Sequence, residues 1–319
     1  MTQEIIINNS DSSDSIYLSV VIPVFNEEKV LPELLRRLIP VCESITHDYE
    51  IIFVDDGSRD NTFEVLKNYH DKNKQIHIVK FSRNFGQHTA VKAGLAKTQG
   101  KYVVTLDSDL QDKPEDIHLL LDNCIEGYEI VQAVSKVRNK TFMRNIFSKL
   151  FHRFFYEIID VDIQPRLGLF RCMSRKAVDA LLKMNESHIF LGGQVTWIGF
   201  NSKNIPVERE HRFAGKTHYS YKKQFYLMFN AMSSFSEKPL IWLLKFGLLI
   251  VLMSFFMLSY VVYKKLFFNV PIVGWTSLIS SIFLSTGIIV TVLSFIGLYV
   301  SKIFLETKKR PHYIVEHDL

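Results

Sequence analysis

Two aspartates one residue apart, Asp107 and Asp109, close the apolar run KYVVTLD (101–107). Paired carboxylates at a strand end can hold a hard divalent cation such as Mg2+ or Mn2+. Such ions prefer oxygen ligands and keep substrate phosphates in their shell. A lone D-x-D is common by chance, so its setting decides its weight. Three other apolar runs are also followed by polar loops. PVFNEE (23–28) ends the run 18–24, DDGSRDNT (55–62) ends 50–56, and SRNFG (82–86) follows 76–81. DSDLQD (107–112) is the fourth such loop. Any single loop could be simple helix capping, for which Ser58 and Asp60 are good residues. Four together point to a polar, acidic edge.

The elements that must position these loops follow from the pattern. Apolar, β-branched runs lie at 18–24, 50–56, 76–81, 101–107 and 128–134, with helical patterns near 28–45, 60–70, 87–97 and 114–126. Such alternation implies βαβ units and a parallel sheet, and continuous apolar runs suit strands buried on both faces. Ligands of open α/β sheets bind outside the carboxyl ends of the strands, where all four loops fall. The chain has no G-x-G-x-x-G after its first strand and no G-x-x-x-x-G-K-[ST]. That weighs against a nicotinamide enzyme and a P-loop NTPase. Without a glycine cradle a diphosphate needs another counter-charge, which a carboxylate-held cation can supply.

The chain has 319 residues, 47% hydrophobic and 22% charged, with a formal net charge of +5. This composition argues against disorder and against a fully embedded membrane protein. Cys42, Cys124 and Cys172 are few, odd in number and widely spaced. Neither a disulfide framework nor a zinc site is expected, and a reducing compartment is the natural reading. Residues 1–17 are polar, lack a signal-peptide pattern and read as a flexible tail.

Most charges lie before about Lys238, and the chain then changes character. Residues 144–159 and 219–236 interleave aromatic and basic side chains. Amphipathic helices of this kind lie in a membrane interface, or pack on a sheet. Phe246 to Tyr263 is an 18-residue run without charge, and Leu266 to Ser301 is a 36-residue one. A spanning helix takes about 20 apolar residues. Two transmembrane helices are expected, at about 240–263 and 273–300. Lys222, Lys223 and Lys238 precede the hairpin, and Lys302, Lys308, Lys309 and Arg310 follow it; Lys264 and Lys265 alone lie between. The positive-inside rule places the sheet domain (18–218), the juxtamembrane helix (219–239) and the tail (302–319) in the cytoplasm. The protein is thus read as a multi-pass protein of the inner (plasma) membrane.

VVIPVFNEE (20–28), IIFVDDGSRDNT (51–62), FSRNFGQHTAVKAGL (81–95), LDSDLQDKPE (106–115) and LFRCMSRKAVDAL (169–181) together resemble the family-2 inverting glycosyltransferases. The segment from Glu208 to Tyr221 adds to the match, which covers about Leu18 to Lys309. The polyprenyl-phosphate branch is the most similar, including bactoprenol glucosyltransferases and dolichyl-phosphate mannose synthases. The resemblance implies a GT-A fold: a Rossmann-like, mostly parallel sheet flanked by helices, followed by interfacial helices and the transmembrane hairpin. It implies a nucleotide pocket formed by Pro23, Asn26, Glu27, Asp55, Asp56 and Arg83. Asp107 and Asp109 would carry Mg2+ or Mn2+, with Gln111 and Asp112 beside the donor sugar. The implied partners are a nucleotide sugar, the membrane and a polyprenyl (undecaprenyl) phosphate. UDP-glucose is the first donor expected, ahead of UDP-N-acetylhexosamine, UDP-galactose and GDP-mannose. A homotetramer would fit the relatives.

The acceptor side also follows from chemistry. A lipid monophosphate has its second pKa near ~6, so it is mostly dianionic at neutral pH. It needs cations to position it more than a general base. Arg171, Arg138, Arg209, Arg212 and Lys216 are the candidates, since guanidinium forks suit phosphate oxygens. For each of them a solvated surface cation is the alternative. Two motifs depart from the branch. Leu169 stands where an acidic or hydroxyl residue is common, and the segment 189–193 lacks two arginines. A processive polysaccharide synthase would want Q-x-x-R-W, but QVTW (194–197) lacks the arginine. An inactive membrane scaffold is the non-enzyme reading. No nucleic-acid recognition motif is present, and no nucleic-acid partner is expected.

Overall fold

The computed structural model describes residues 16–135, 167–186, 189–210, 238–268 and 274–319. The expected interfacial helices at 144–159 and 219–236 lie outside these residues. The chain divides into two compact units. One carries the sheet and includes Pro311–Leu319, and the other carries the long apolar helices.

The sheet unit opens as expected: β1 (Leu18–Val24), α1 (Leu31–Ile45), β2 (Tyr49–Asp55), α2 (Thr62–Lys72), β3 (Ile76–Phe81), α3 (Gln87–Lys97), β4 (Tyr102–Thr105), α4 (Ile117–Ile125) and β5 (Ile130–Ser135). It continues with β6 (Leu167–Ser174), α5 (Arg175–Leu182), α6 (Leu191–Trp197) and β7 (Ser202–Val207), and closes with β8 (Val315–Asp318). The eight strands run β7-β5-β6-β4-β1-β2-β3-β8. β1 pairs in parallel with β2 and β4, β2 with β3, and β5 with β7. β6 runs antiparallel to β4 and β5, and β8 antiparallel to β3. This is the mostly parallel sheet that the sequence pattern anticipates, and it matches the GT-A fold that the family resemblance implies.

Every residue of β1 and β2 is buried. Their alternating side chains divide between the two faces. Val20, Ile22, Ile51 and Phe53 join α1 and α4 in one apolar layer. Val21 packs with Val91 and Leu95 of α3, Val178 of α5 and Leu191 of α6 on the other. Pro23 lies in a central strand yet breaks no ladder toward β4, because that pairing ends at Val21↔Thr105. Leu169 is buried in the second layer, packed as an apolar side chain.

The second unit contributes α7 (Lys238–Phe268) and α8 (Trp275–Thr307). Within α8, Ser281–Thr307 has mean hydropathy 2.2 and no part of its apolar window is buried within the chain. A soluble core helix would bury that surface. Within α7 the apolar stretch Ile241–Met257 is shorter than a full span. α7 extends beyond the expected 240–263 at both ends, whereas α8 begins two residues inside the expected 273–300 and runs past its C-terminal end.

Candidate active site

The strand order reverses between β1 and β4, since β2 and β3 lie on one side of β1 and β4 on the other. Such a switch point opens a crevice outside the carboxyl ends of the two strands. The chain leaves β4 with Leu106 N donating to Val21 O at 3.0 Å, so Asp107 starts at the crevice. Asp109 Oδ1 accepts from Gln111 N at 3.1 Å, a local turn that brings the loop back. Leu110 is buried and left-handed, with φ 58°. That conformation is costly for a residue with a Cβ and a γ-branched side chain.

Asp107 is held from α3, where Gln87 Nε2 donates to its Oδ1 at 2.6 Å. Burial, then the charges of Asp109 and Asp112, push the Asp107 carboxyl up to about 7. Arg209 and Arg171 oppose this shift without cancelling it. Asp112 is 2% exposed and accepts two bonds from Arg209, from Nε at 2.7 Å and Nη2 at 2.9 Å. Burial raises its carboxyl, and Arg209 pulls it back. Gly168 makes room for this fork, since a Cβ there would stand 2.2 Å from Arg209 Nη2. The next residue, Glu210, donates its N–H to Gln111 O at 2.8 Å. Arg37 joins Glu115 (2.7 Å) to Glu210 (3.1 Å).

Arg171 sits on β6 opposite Thr105 of β4 and Gln132 of β5. It is 2% exposed, and Nη2 donates to Gly168 O at 2.8 Å. Its Nε and Nη1 are buried without a hydrogen-bond partner, as are His88 Nδ1 and Gln132 Oε1. Burial pulls Arg171 down to about 10, while Asp107 acts to raise it. Burial and Arg171 together hold His88 at about 4, so its imidazole is neutral. The His88 ring meets Phe190 edge-on at 5.9 Å. Phe190 is the N-cap of α6, within the segment that lacks the two family arginines.

The β1 and β2 loops are laced together on the far side of the crevice. Asn26, left-handed at φ 56°, donates its N–H to Ser58 Oγ at 2.9 Å and accepts from Arg59 N at 2.8 Å. Glu27 N donates to Thr62 Oγ1 at 2.9 Å, and Asn61 N donates to Glu28 Oε2 at 3.1 Å. Asp60 accepts from Thr62 N at 3.1 Å and from Glu28 N at 3.3 Å, tying the β1 loop to the start of α2, whose N-cap is Asn61 with no side-chain cap bond. Asp55 Oδ1 accepts from Ser58 N at 2.8 Å, while its buried Oδ2 has no hydrogen-bond partner. Asp56 reaches the β3–α3 loop and accepts from Phe85 N at 2.6 Å and Gly86 N at 3.0 Å. Burial nevertheless lifts its carboxyl to about 6. Gly57 is needed here twice over: its φ is +72°, and a Cβ would stand 2.4 Å from the Arg83 carbonyl carbon. Arg83 is exposed and lays its guanidinium 4.0 Å above the Phe85 ring.

The strand ends thus assemble Asp107, Asp109, Gln111 and Asp112 at one loop, with Pro23, Asn26, Glu27, Asp55, Asp56 and Arg83 on its neighbours. Arg171 and Arg209 lie against the acidic loop as counter-charges. Arg138, Arg212 and Lys216 fall outside the described residues. Gln87 and His88 were missed as site residues. Their signal was positional, since they directly follow SRNFG at the start of α3. Among the described residues no three His, Cys, Asp or Glu side chains group into a metal cage. A pair of carboxylates still fits Mg2+ or Mn2+, which keeps waters and substrate phosphates as its other ligands. Burial first, and the carboxylates of Asp109 and Asp112 second, disfavour the charged form of Asp107, and a cation held there would relieve both.

A sequence model described as glycosyl transferase family 2 matches residues 19–182. The chain is 38% identical over 305 residues to the uncharacterized glycosyltransferase YkcC of Bacillus subtilis (strain 168), covering 95% of this chain and 94% of the relative. It is 37% identical to the uncharacterized glycosyltransferase sll0501 of Synechocystis sp., over 94% of this chain and 95% of that one. It is 32% identical to the undecaprenyl-phosphate 4-deoxy-4-formamido-L-arabinose transferase of Enterobacter sp. (strain 638), over 94% of this chain and 92% of the relative. The chain belongs to glycosyltransferase family 2 and is a nucleotide-sugar glycosyltransferase with a GT-A fold.

Proposed function

We propose that this enzyme transfers a single sugar, with inversion, from a UDP-sugar to a polyprenyl phosphate at the cytoplasmic face of the membrane. The observation that carries the reading is the acidic loop at the switch point, with Asp107 lifted to about 7 by burial and then by its acidic neighbours. The lipid acceptor is supported by the exposed apolar length of α8 and by the undecaprenyl-phosphate substrate in the name of one relative.

Asp107 and Asp109 would hold the divalent cation, which supplies Lewis-acid neutralisation of the departing diphosphate. Gln87 orients Asp107 through its hydrogen bond. The laced β1–β2 loops and Asp56 form the wall for the nucleotide. Gln111 and Asp112 face the donor sugar, with Asp112 held still by Arg209. A dianionic acceptor phosphate attacks the sugar C1 without a dedicated base, and the basic residues position it. Arg171 has two guanidinium nitrogens without a protein partner, which an anion reaching the floor of the crevice would engage. Arg138, Arg212 and Lys216 complete the acceptor set. Arg209 already commits two donors to Asp112. The hairpin α7–α8 holds the enzyme beside its lipid substrate, with both ends cytoplasmic.

The test is a transfer assay with purified protein in detergent, undecaprenyl phosphate, Mg2+ or Mn2+, and a panel of labelled nucleotide sugars. Label from one donor should pass to the organic phase. Label released only as free sugar, or built into a polymer, would overturn the reading.

A further inference from the structure

The final residues of the chain, read from sequence only as a tail, complete the sheet. β8 pairs antiparallel with β3 through Val79↔Asp318, Lys80↔His317 and Phe81↔Val315. Leu319 exchanges two backbone bonds with Ile78, both at 2.9 Å. The side chains of β8 are all exposed, so burial of apolar area does not explain its docking. The open edge of β3 supplies backbone partners, and side-chain contacts at both ends add to them. At one end His317 stacks on Phe63 at 5.1 Å, Glu316 pairs with Lys80 at 3.1 Å, and Asp318 pairs with Lys97.

The other end reaches the active-site loops. Tyr313 stacks on Phe81 with ring centroids 4.9 Å apart and planes 18° apart. Phe81 meets Phe85 edge-on at 5.6 Å. Phe85 N donates to Asp56, and the Phe85 ring carries the Arg83 guanidinium. Ser82 N donates to Ile314 O at 3.0 Å. The β3–α3 loop therefore has Asp56 on one side and the C-terminal segment on the other. Only Lys308, Lys309 and Arg310 separate Pro311 from the end of α8.

We propose that the C-terminal segment is a positioning element for the nucleotide pocket, with Tyr313 as its key residue. The inference rests on the reading that the crevice takes a nucleoside diphosphate. The contacts of Tyr313 run to the apolar cluster around Phe81. Tyr313 acts through Phe81 and Phe85, fixing the two backbone N–H groups that Asp56 accepts. Without the ring, the loop samples conformations in which those bonds are broken, and the pocket binds nucleotide less well.

The experiment uses the full chain in detergent, with UDP and GDP titrated in the presence of Mn2+ and hydrogen exchange read over residues 82–86. The variants are Tyr313→Ala, Tyr313→Phe and, as a control at the far end of β8, His317→Ala. Tyr313→Ala should weaken UDP binding roughly two- to tenfold, the size of one aromatic pair. It should also speed exchange at the Phe85 and Gly86 amides. Tyr313→Phe, which keeps the stack, should match the parent in both, and so should His317→Ala. Unchanged exchange over 82–86 in Tyr313→Ala would overturn the proposal. So would equal effects of Tyr313→Ala and His317→Ala, which would mark general loss of β8. If the parent binds neither nucleotide, the reading of the crevice fails, and the exchange measurement alone decides whether Tyr313 positions the loop.

Discussion

Arg209 was expected to meet an acceptor phosphate, but the structure gives it a second task. Its fork grips Asp112 through Nε and Nη2, at 2.7 and 2.9 Å, and the Asp112 side chain is 1% exposed. Removing one partner of a buried ion pair costs about 3–5 kcal/mol, because the other charge is left unpaired. The Arg209 side chain is 29% exposed. Water therefore reaches part of this pair, and a loss of about 2–3 kcal/mol is the reasonable expectation for Arg209→Ala. For a sheet unit of this size that is roughly 5–10 °C in Tm. Asp112→Asn removes the charge that would be stranded. The double variant Arg209→Ala/Asp112→Asn should therefore be more stable than the sum of the single losses, by about 1.5 kcal/mol or more. The sign of the pH dependence follows. In Arg209→Ala the folded carboxyl of Asp112 lies above its unfolded value of about 3.9. Its ionisation then opposes folding, so the deficit is full at neutral pH and shrinks as pH falls toward that value.

The assay is thermal or denaturant unfolding of the full chain in detergent, for the four proteins of the cycle across pH 4 to 8, roughly the range in which carboxylates buried like Asp112 titrate. A coupling energy below about 0.5 kcal/mol would refute the structural pairing. Kinetics separates the two roles. A residue that only held acceptor phosphate would raise the lipid KM while leaving Tm alone. Arg209→Lys is informative because it keeps the charge but loses the fork. It should recover little of the lost stability.

Two further predictions concern the acidic edge. Asp109→Ala should stay folded, lose turnover by about two orders of magnitude or more, and bind Mn2+ more weakly by electron paramagnetic resonance; near-normal turnover would remove Asp109 from the metal role. Asp56, 3% exposed and lifted to about 6, should make the sheet unit gain stability as pH falls from about 6 toward 4, by roughly 2–3 kcal/mol at most. Comparing Tm against pH for the parent and Asp56→Asn tests this, and the same slope in both would refute it.

The five strands of the first half were legible to within two residues at each end, and the reason is physical. They are buried on both faces, so each reads as an unbroken apolar run between polar loops. The second half hides its strands for equally physical reasons. β6 places Arg171 between Leu169 and Met173, so a buried charge interrupts its apolar pattern. β7 is an edge strand with exposed polar residues and Pro206, composition that reads as loop. β8, VEHD, has no apolar periodicity at all and exists because β3 offers it an open edge. The acidic loops were found because they lie next to strands in sequence. The Arg209–Asp112 pair was not, because its partners are 97 residues apart.

Several unfavourable features of the sheet unit lie on the acidic loop and on the strand and helix residues that interact with it, and this bears on whether the site is functional or vestigial. Leu110 is left-handed at φ 58°, a conformation that costs roughly 1–2 kcal/mol. Asp107 is lifted to about 7 by burial and by neighbours of like charge. Arg171 is buried with two donors unmet, beside the unmet His88 Nδ1 and Gln132 Oε1. A chain under no demand beyond folding has cheaper solutions at each position. Apolar side chains at 107 and 171 would extend the layer that already holds Leu169 and Met173, and replacing buried ions in this way is often neutral or stabilising. An inactive scaffold would drift toward those solutions. This chain instead keeps Asp107 and Arg171 close enough for each to act on the other, while burial still disfavours the charge on both. On the proposed reading a cation and anionic substrates would complete that balance, so the same groups that burden the fold would stabilise its complex.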